Sequence, residues 1–551
     1  MRIYLYASLI SLLLAACHGG ESESPADSGD SADHANPTAT APTTTPTPTP
    51  TMPAPTPAPT PAAQAGWRSQ VLYLVIPDRF RDGAPGNNDA THCFDRNNPR
   101  RFHGGDLEGL RQNLGYLRDL GATAVWITPP NRQAGPPGDA CGYHGYWIDY
   151  ADPADDALQP ELGSADDLAR LAADLHASSM RLVLDMVVNH AGDTARLPHQ
   201  HPDWFHDPAS CGQLGAPQVF CPVDNHPDFK QERGDVATYL STLEARAVTR
   251  YGVDGIRMDT AKHVLPKYFH DSFFPAVRGA RPDLFAIAEI FEQGSTGSFV
   301  PYLDAGFDSA FHYPLYAALL DAIGHGGSTD RIAQAIADGI ARVGAARALD
   351  LVLFVDNHDV PRFANAPGLG VSEDEIRRRL MLGLDLIFTL PGIPQLYYGD
   401  ELGMYGGGDP DNRRDLPGWA TDAAARAEPH AGVAVAGSSI VYARVQKLSS
   451  LRRNVPALAD GEYHELWRQN GAQNPNVLAF SRGSGAGLRI VVVGNGSRNT
   501  GTMSIPVHGV ADGTRLVDDL GDGAPAAVTV TAGKLVVDLP ARSAAIYRIA
   551  P

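Results

Sequence analysis

From Trp67 onward, short apolar runs alternate with amphipathic stretches. Strand-like runs stand at 71–78 (VLYLVIPD), 122–130 (ATAVWITPP), 181–190 (RLVLDMVVNH), 253–259 (VDGIRMD), 284–291 (LFAIAEIF), 351–359 (LVLFVDNHD) and 386–401 (LIFTLPGIPQLYYGDE). A weaker run lies at 307–313 (FDSAFHY). Between them, DLEGLRQNLGYLRDLG (106–121) and SADDLARLAADLHASS (164–179) space their apolar residues as helices do. Ser164 with Asp167 three residues on predicts a helix N-terminus. Eight strands alternating with helices predict an α/β fold, a (β/α)8 TIM barrel over 67–445; a doubly wound open sheet is the alternative. The stretch between DMVVNH and GVDGIRMD is too long for a loop. Its residues 191–230 predict an inserted subdomain after strand 3, over the active face. After 445 the runs become short and alternating, as in NVLAFSRG, LRIVVVGNGS, KLVVDLP and AAIYRIA, with Gly/Asn turns. They predict a C-terminal antiparallel β-sandwich over 446–551.

The first residues do not extend this pattern. Arg2 precedes a short apolar run that ends at Cys17, too short for a membrane span of about 20 residues. LAAC (14–17) resembles the bacterial lipoprotein box, in which the cysteine is lipidated, so residues 1–17 read as a lipoprotein signal peptide. His18 stands where enterobacteria-like systems place the aspartate that retains lipoproteins in the inner membrane. An exported lipoprotein of the outer membrane or cell surface is therefore expected. Residues 18–66 are rich in Pro/Thr repeats, which build no core and serve as a spacer. Four of the five cysteines remain after Cys17. In an oxidising compartment an even number predicts disulfides. Cys211 and Cys221 are placed to staple one loop, which leaves Cys93 with Cys141; the spacings do not resemble a zinc site. The formal charge is −19, from 63 acidic and 44 basic residues, with no Lys/Arg stripe. A nucleic-acid partner is not expected.

Polar groups gather at the C-terminal ends of the predicted strands: Asp185, Asn189 and His190; Arg257 and Asp259; Glu289; His358 and Asp359. In a barrel those ends share one face, where the sites of such enzymes lie. Singly, each acid reads as a helix cap or an ion-pair partner. Converging, two carboxyls about 5 Å apart can run retaining glycoside hydrolysis.

DMVVNH, GIRMDTAKH, AIAEIF and FVDNHD, in that order, with HGYW (144–147) and GIPQLYYGDELGMYGGGDPDNRRDLP (392–417), resemble the motifs of the α-amylase family of glycoside hydrolases. The resemblance is to its α-amylase, cyclodextrin-glucanotransferase and neopullulanase branches. It implies Asp259 as nucleophile, Glu289 as acid and then base, and Asp359 as the group that grips sugar hydroxyls and stabilises the transition state. Arg257, two residues from Asp259 and on the same strand face, would orient the nucleophile. His190 and His358 would bind hydroxyls, and Tyr146, with His144 in the same motif, would hold the same sugar. Lys262 and His263 would line the leaving-group side, with Phe291 an acceptor-side aromatic. Asp409 and Arg413 would hold the sugar on the other side.

The same resemblance implies calcium at one or two sites. The first would use Asp82, Asn87, Asn88 and Asp106 with carbonyls of Ala84 and Gly104. The second would use Asn189, Asp228 and the carbonyl of His263. The expected activity is endo-acting hydrolysis of α-1,4 bonds in starch and maltooligosaccharides by a monomer. Cyclising relatives carry a large aromatic near the position of Asp224, which this chain lacks. A transglycosylase or a cyclodextrin or pullulan hydrolase is the alternative. A non-catalytic glucan-binding lipoprotein is the reading from another class.

Overall fold

A computed structural model describes residues 66–136, 141–150, 157–469 and 476–550. The signal-like segment, Cys17 and nearly all of the Pro/Thr tract lie outside the described residues. Eight short strands follow one another: β1 (Leu72–Val75), β2 (Ala124–Ile127), β3 (Arg181–Met186), β4 (Gly255–Met258), β5 (Phe285–Ala288), β6 (Ser309–Ala310), β7 (Val352–Leu353) and β8 (Ile393–Tyr397). All their pairings are parallel, in the order β6-β5-β4-β3-β2-β1-β8-β7. A parallel bridge from Phe311, just after β6, to Val352 in β7 joins the two ends. A doubly wound sheet would break this sequential order, so the fold is a (β/α)8 barrel.

Helices wrap the barrel for the reasons the sequence carries. Ala165–Ala177 starts on a reciprocal cap in which Ser164 accepts from Asp167 N–H and Asp167 accepts from Ser164 N–H. The predicted 106–121 helix is two pieces, Leu107–Gln112 and Leu114–Leu120, parted at Asn113. The run at 386–401 is divided as well. Its first residues end the helix Glu373–Thr389, which is buried from Leu380 onward, and only 393–397 form a strand. A continuous apolar run looks alike in a buried helix and a buried strand.

Two excursions shape the face at the strands' C-terminal ends. Residues 191–230 leave after β3 and form short turns: Arg196–Gln200, Pro202–Trp204, Cys211–Leu214 and Pro217–Phe220. Bridges His190↔Asp228 and Phe205↔Phe229 stitch this segment to the strand tip, and a Cys211–Cys221 disulfide closes its outer loop. A second disulfide, Cys93–Cys141, ties the loop after β1 to the loop that carries His144 and Tyr146. Both expected pairings are thus present.

The 446 boundary falls inside a helix, Ser438–Asn454. The all-β region starts at β9 (Tyr463–Gln469) and continues through β10 (Val477–Arg482), β11 (Arg489–Gly494), β12 (Met503–Pro506), β13 (Arg515–Asp518), β14 (Ala527–Thr529), β15 (Lys534–Val537) and β16 (Ser543–Ile549). Six strands, ordered β14-β13-β16-β11-β10-β9, form one antiparallel sheet, and β12 pairs with β15 in a second. Val477, Ala479, Ile490, Val492, Ala545 and Tyr547 face the small sheet's Ile505 and Leu535. Their alternates Leu478, Phe480, Val491, Val493, Ala544 and Ile546 join the barrel's own core. The central strands β10, β11 and β16 of the large sheet are therefore buried on both faces.

Candidate active site

Register places the site's centre. Asp185 on β3 and Arg257 on β4 are direct partners across the sheet. Arg257 Nη1 lies 2.9 and 3.1 Å from the two Asp185 oxygens, and the same carboxylate accepts from Tyr146 Oη at 2.8 Å and Trp126 Nε1 at 3.1 Å. Burial pushes Asp185 up to about 6, with Arg257 and Tyr146 opposing. Thus anchored, Arg257 gathers the three acids. Nη1 donates to Asp259 Oδ1 at 2.7 Å. Nη2 lies 2.7 Å from Glu289 Oε1 and 3.7 Å from Asp359 Oδ2. Burial opposes the guanidinium charge, but Asp185 and Glu289 outweigh it and hold Arg257 protonated.

The acids differ in exposure. The side chains of Asp259 and Glu289 are 10% and 8% exposed, whereas Asp359 is 27% exposed. Asp359 therefore faces the open side, where a ligand enters. Burial pushes the Asp259 carboxyl up, and Glu289, Asp185 and Asp359 add to this; Arg257 opposes them. Three histidines stand around the acids. Burial, followed by His226, brings His190 down to about 3. His358 is lowered well below its ordinary value by burial and then Arg257, and His144 by burial and then Arg413. All three are neutral near pH 7, which suits hydrogen bonding to hydroxyls.

Most of the remaining expected residues meet here. The Tyr146 ring lies parallel to His358 at 5.3 Å between centroids, and its hydroxyl is 2.6 Å from His358 Nε2. The His144 ring stacks on Tyr146 at 5.8 Å, and His190 Nε2 is 3.2 Å from the Tyr146 carbonyl. Lys262 Nζ donates to the Phe291 carbonyl at 2.7 Å. Arg413 bridges Asp409 at 3.1 Å and Asp359 at 3.6 Å. The exception is the His263 ring, which turns to the inserted segment, with Nδ1 2.6 Å from the Gln218 carbonyl. Tyr313 and Asn412 were not singled out from sequence. Tyr313 Oη is 3.4 Å from Glu289 Oε1. Asn412 Nδ2 donates to the carbonyls of His358 and Val360 at 2.8 and 2.9 Å and fixes the Arg413 loop to the tip after β7. Tyr313 ends the weakest strand run and Asn412 sits in a loop, so neither had a periodic signal. Asp185 was visible at its strand tip, but its bond to Arg257 was not.

Two sets of oxygens lie nearby. In the loop after β1, Asp82 Oδ1, Asn87 Oδ1 and Asn88 Oδ1 are buried with no hydrogen-bond partner. Gly104 is packed so close that a Cβ would stand 2.7 Å from Asn88 Nδ2. Asp106 also caps a helix, accepting from Gly109 N–H at 2.6 Å and Ala84 N–H at 2.9 Å. Under the inserted segment, the Asn189 side-chain oxygen faces Asp228 Oδ1 at 3.3 Å and the His263 carbonyl at 3.0 Å, both acceptors. Among the described residues, no three His, Cys, Asp or Glu side chains gather as a metal cluster. These donors are mainly amide and carbonyl oxygens, which fit a hard cation and not zinc.

The model of the α-amylase catalytic domain matches residues 74–210 and 219–432. A β/α-amylase of Paenibacillus polymyxa is 30% identical over 507 residues, covering 87% of this chain but 38% of the relative. A cyclomaltodextrin glucanotransferase of Klebsiella oxytoca is 30% identical over 502 residues, covering 79% of this chain and 71% of the relative. Among solved structures, an Anoxybacillus α-amylase superposes with a TM-score of 0.75 at 28% identity, covering 88% of this chain and 98% of that one.

Proposed function

The chain belongs to the α-amylase family of glycoside hydrolases, and on that premise we propose that it hydrolyses internal α-1,4 bonds of starch and maltooligosaccharides with retention. The observation that carries this reading is the Arg257 guanidinium, with one nitrogen 2.7 Å from Asp259 and the other 2.7 Å from Glu289. Bridging by one planar group draws the two carboxyls together, as the short separation of retaining enzymes, about 5–5.5 Å, requires. Asp259 attacks the anomeric carbon and forms a glucosyl ester as the glycosidic bond breaks. Glu289 gives its proton to the departing oxygen. It then takes a proton from water, whose oxygen attacks the anomeric carbon as the bond from that carbon to the Asp259 oxygen breaks and Asp259 is freed. Asp359, His190 and His358 hold the sugar hydroxyls, and Tyr146 stacks on the ring. Arg413 and Asp409 hold the neighbouring sugar, while Lys262 and Phe291 line the leaving-group side.

Hydrolysis is favoured over cyclisation at one place. Asp224 and Asn225, in the inserted segment, are exposed and adopt positive φ of 51° and 67°. Asp and Asn accept that conformation readily, and a large aromatic does not. Phe291 keeps transfer, and a cyclodextrin or pullulan hydrolase, as the second reading. Product analysis on starch, pullulan and cyclodextrins tests both. Linear maltooligosaccharides from starch, with the released anomer retained, are expected; cyclic products or inertness on starch would reject the first reading.

Calcium is the metal assigned here. The three orphaned oxygens of Asp82, Asn87 and Asn88 support one ion, with Asp106 and the carbonyls of Ala84 and Gly104. Asn189, Asp228 and the His263 carbonyl support a second. Their facing acceptors require a cation or a turned Asn189 amide, and the amide nitrogen already stands 3.3 Å from His190 Nδ1. Calcium would cross-link these loops by hard oxygen ligation. We further propose a monomer that is exported and tethered through a lipid on Cys17 at the outer membrane or cell surface, with residues 18–66 as spacer. Among the described residues no helix is long and apolar enough to cross a membrane.

A further inference from the structure

The residue after Asp259 has an unusual backbone. Thr260 lies in the left-handed region at φ 48°, ψ 31°. The other non-glycine residues with positive φ among those described are His92, Ser179, Asp224, Asn225, Ala532 and Arg542. Thr260 is the one β-branched residue of the set. A branched Cβ crowds the backbone there, and such a residue persists only where its surroundings over-determine it.

Its surroundings are the two central carboxylates. Thr260 N–H donates to Glu289 Oε2 at 2.8 Å, and Thr260 Oγ1 donates to Asp259 Oδ2 at 3.1 Å. Its carbonyl accepts from His263 N–H at 2.8 Å. The two oxygens it contacts are those Arg257 leaves free, since Arg257 takes Asp259 Oδ1 and Glu289 Oε1. Each carboxylate is therefore held at both oxygens, one by Arg257 and one by Thr260. A carboxylate held at one oxygen can swing about its terminal bond, and one held at both cannot. The peptide plane after Asp259 places this N–H against Glu289, and the positive φ turns the chain that follows and the Cβ that carries Oγ1.

We propose that Thr260 is a positioning residue for both the nucleophile and the acid, a second clamp opposite Arg257. The inference rests on the hydrolase reading above. Its side chain fixes the plane of Asp259 and stabilises the ionised carboxylate; its backbone fixes Glu289.

Three variants of the full chain test it on maltoheptaose. Thr260→Val keeps the branch and removes the hydroxyl. Thr260→Ser keeps the hydroxyl and removes the branch. Thr260→Gly keeps the N–H, suits the positive φ and removes the hydroxyl. Loss of a hydrogen bond to a charged acceptor predicts that Thr260→Val lowers kcat roughly tenfold or more, with KM within about twofold. Thr260→Ser should stay within about threefold of the parent. The acidic limb of the kcat/KM profile should move to higher pH in Thr260→Val and stay in place in Thr260→Ser. A carboxylate that loses a donor takes up a proton more readily. The other groups facing Asp259 are unchanged in every variant: Arg257 on its own strand, Asp185 from β3, Glu289 from β5, Asp359 after β7 and Tyr146 from the 141–147 loop. Should Thr260→Val fail to fold, Thr260→Gly carries the same kcat prediction without the backbone crowding. Unchanged kcat and pH limb in the hydroxyl-free variants, or a Thr260→Ser as impaired as Thr260→Val, would overturn the clamp. A parent chain inert on every α-glucan rejects the hydrolase reading alone; the Thr260→Gly crystal structure then decides the clamp, upheld if the Asp259 carboxylate has turned and rejected if it has not.

Discussion

Asp185 and Arg257 face each other across adjacent strands, and one Asp185 carboxylate accepts from Arg257, Tyr146 and Trp126 together. The catalytic acids thus depend on a fourth acid that touches none of them. In Asp185→Asn, the amide would turn an NH2 toward groups that are themselves donors. Unpairing a buried ion pair costs about 3–5 kcal/mol. The variant should lower both the melting temperature and kcat, the latter by at least tenfold. A variant with parental kcat would show that Arg257 needs no anchor.

Asp259→Asn should abolish turnover while starch binding persists, because Tyr146 and the Arg413 loop remain. Glu289→Gln should be nearly inactive on starch and less impaired in the first step with an activated glycosyl fluoride, whose departure needs little acid help. Steady-state starch assays and single-turnover fluoride kinetics give both numbers. Equal impairment on the two substrates would remove Glu289 from the acid role.

Chelation should act on stability and not on chemistry at the first calcium loop. Asp82 and Asp106 are two acids of one loop: Asp82 Oδ1 is orphaned, and Asp106 accepts only from backbone N–H groups of Gly83, Ala84 and Gly109. Ligand linkage gives about 3 kcal/mol at a hundredfold excess over Kd. EDTA should lower the melting temperature, and calcium should restore it. Asp82→Ala should mimic part of this with turnover at low temperature largely intact. A calcium-insensitive melting curve would reduce this loop to a turn.

Glu244, buried on the helix Gly234–Tyr251, is pushed up to about 8 by burial alone. Its folded value exceeds its unfolded one. The stability linked to it is complete below pH ~4.5 and is lost as pH rises through about 8. Glu244→Gln removes the ionisation and should raise the melting temperature at pH 8.5 relative to the parent, by an amount that shrinks toward pH 5. Linkage between these two values sets an upper scale of about 5 kcal/mol. Parallel melting curves across this window would place the alkaline loss elsewhere.

Cys17→Ser should release the protein from membranes with unchanged specific activity, because lipid and barrel are chemically separate. Fractionation of expressing cells measures this. Continued membrane association would put the anchor elsewhere.

The barrel was legible because four of its strand runs change chemistry at or near their C-terminal ends, from apolar residues to Asp185, Arg257, Glu289 or His358. That signal is local. Contacts between strands are not: the pairing of Asp185 with Arg257 requires the register, and Thr260 reads as an ordinary strand-following residue until its φ is known. In the C-terminal region, β10, β11, β15 and β16 carried full apolar runs and were visible. β12–β14 are short and half-exposed, with burial switching within four residues, so composition alone did not mark them. The oxygens of Asn87 and Asn88 look like turn residues in sequence; only their lack of partners when buried distinguishes them.

The central strands of the large C-terminal sheet have no solvent face to spare. Leu478, Phe480, Val491, Val493, Ala544 and Ile546 belong to the same core as the barrel, and Arg482, on β10, donates to the Thr389 carbonyl at the end of a barrel helix. The region is thus a wall of the catalytic domain and not a detachable module. Excising it would strip the barrel of part of its interior and expose an apolar surface prone to aggregation. Grafting it onto another barrel would require matching that surface residue by residue. In engineering or in evolution, the two parts can be exchanged only together, and new binding modules have to be attached where neither sheet face is used.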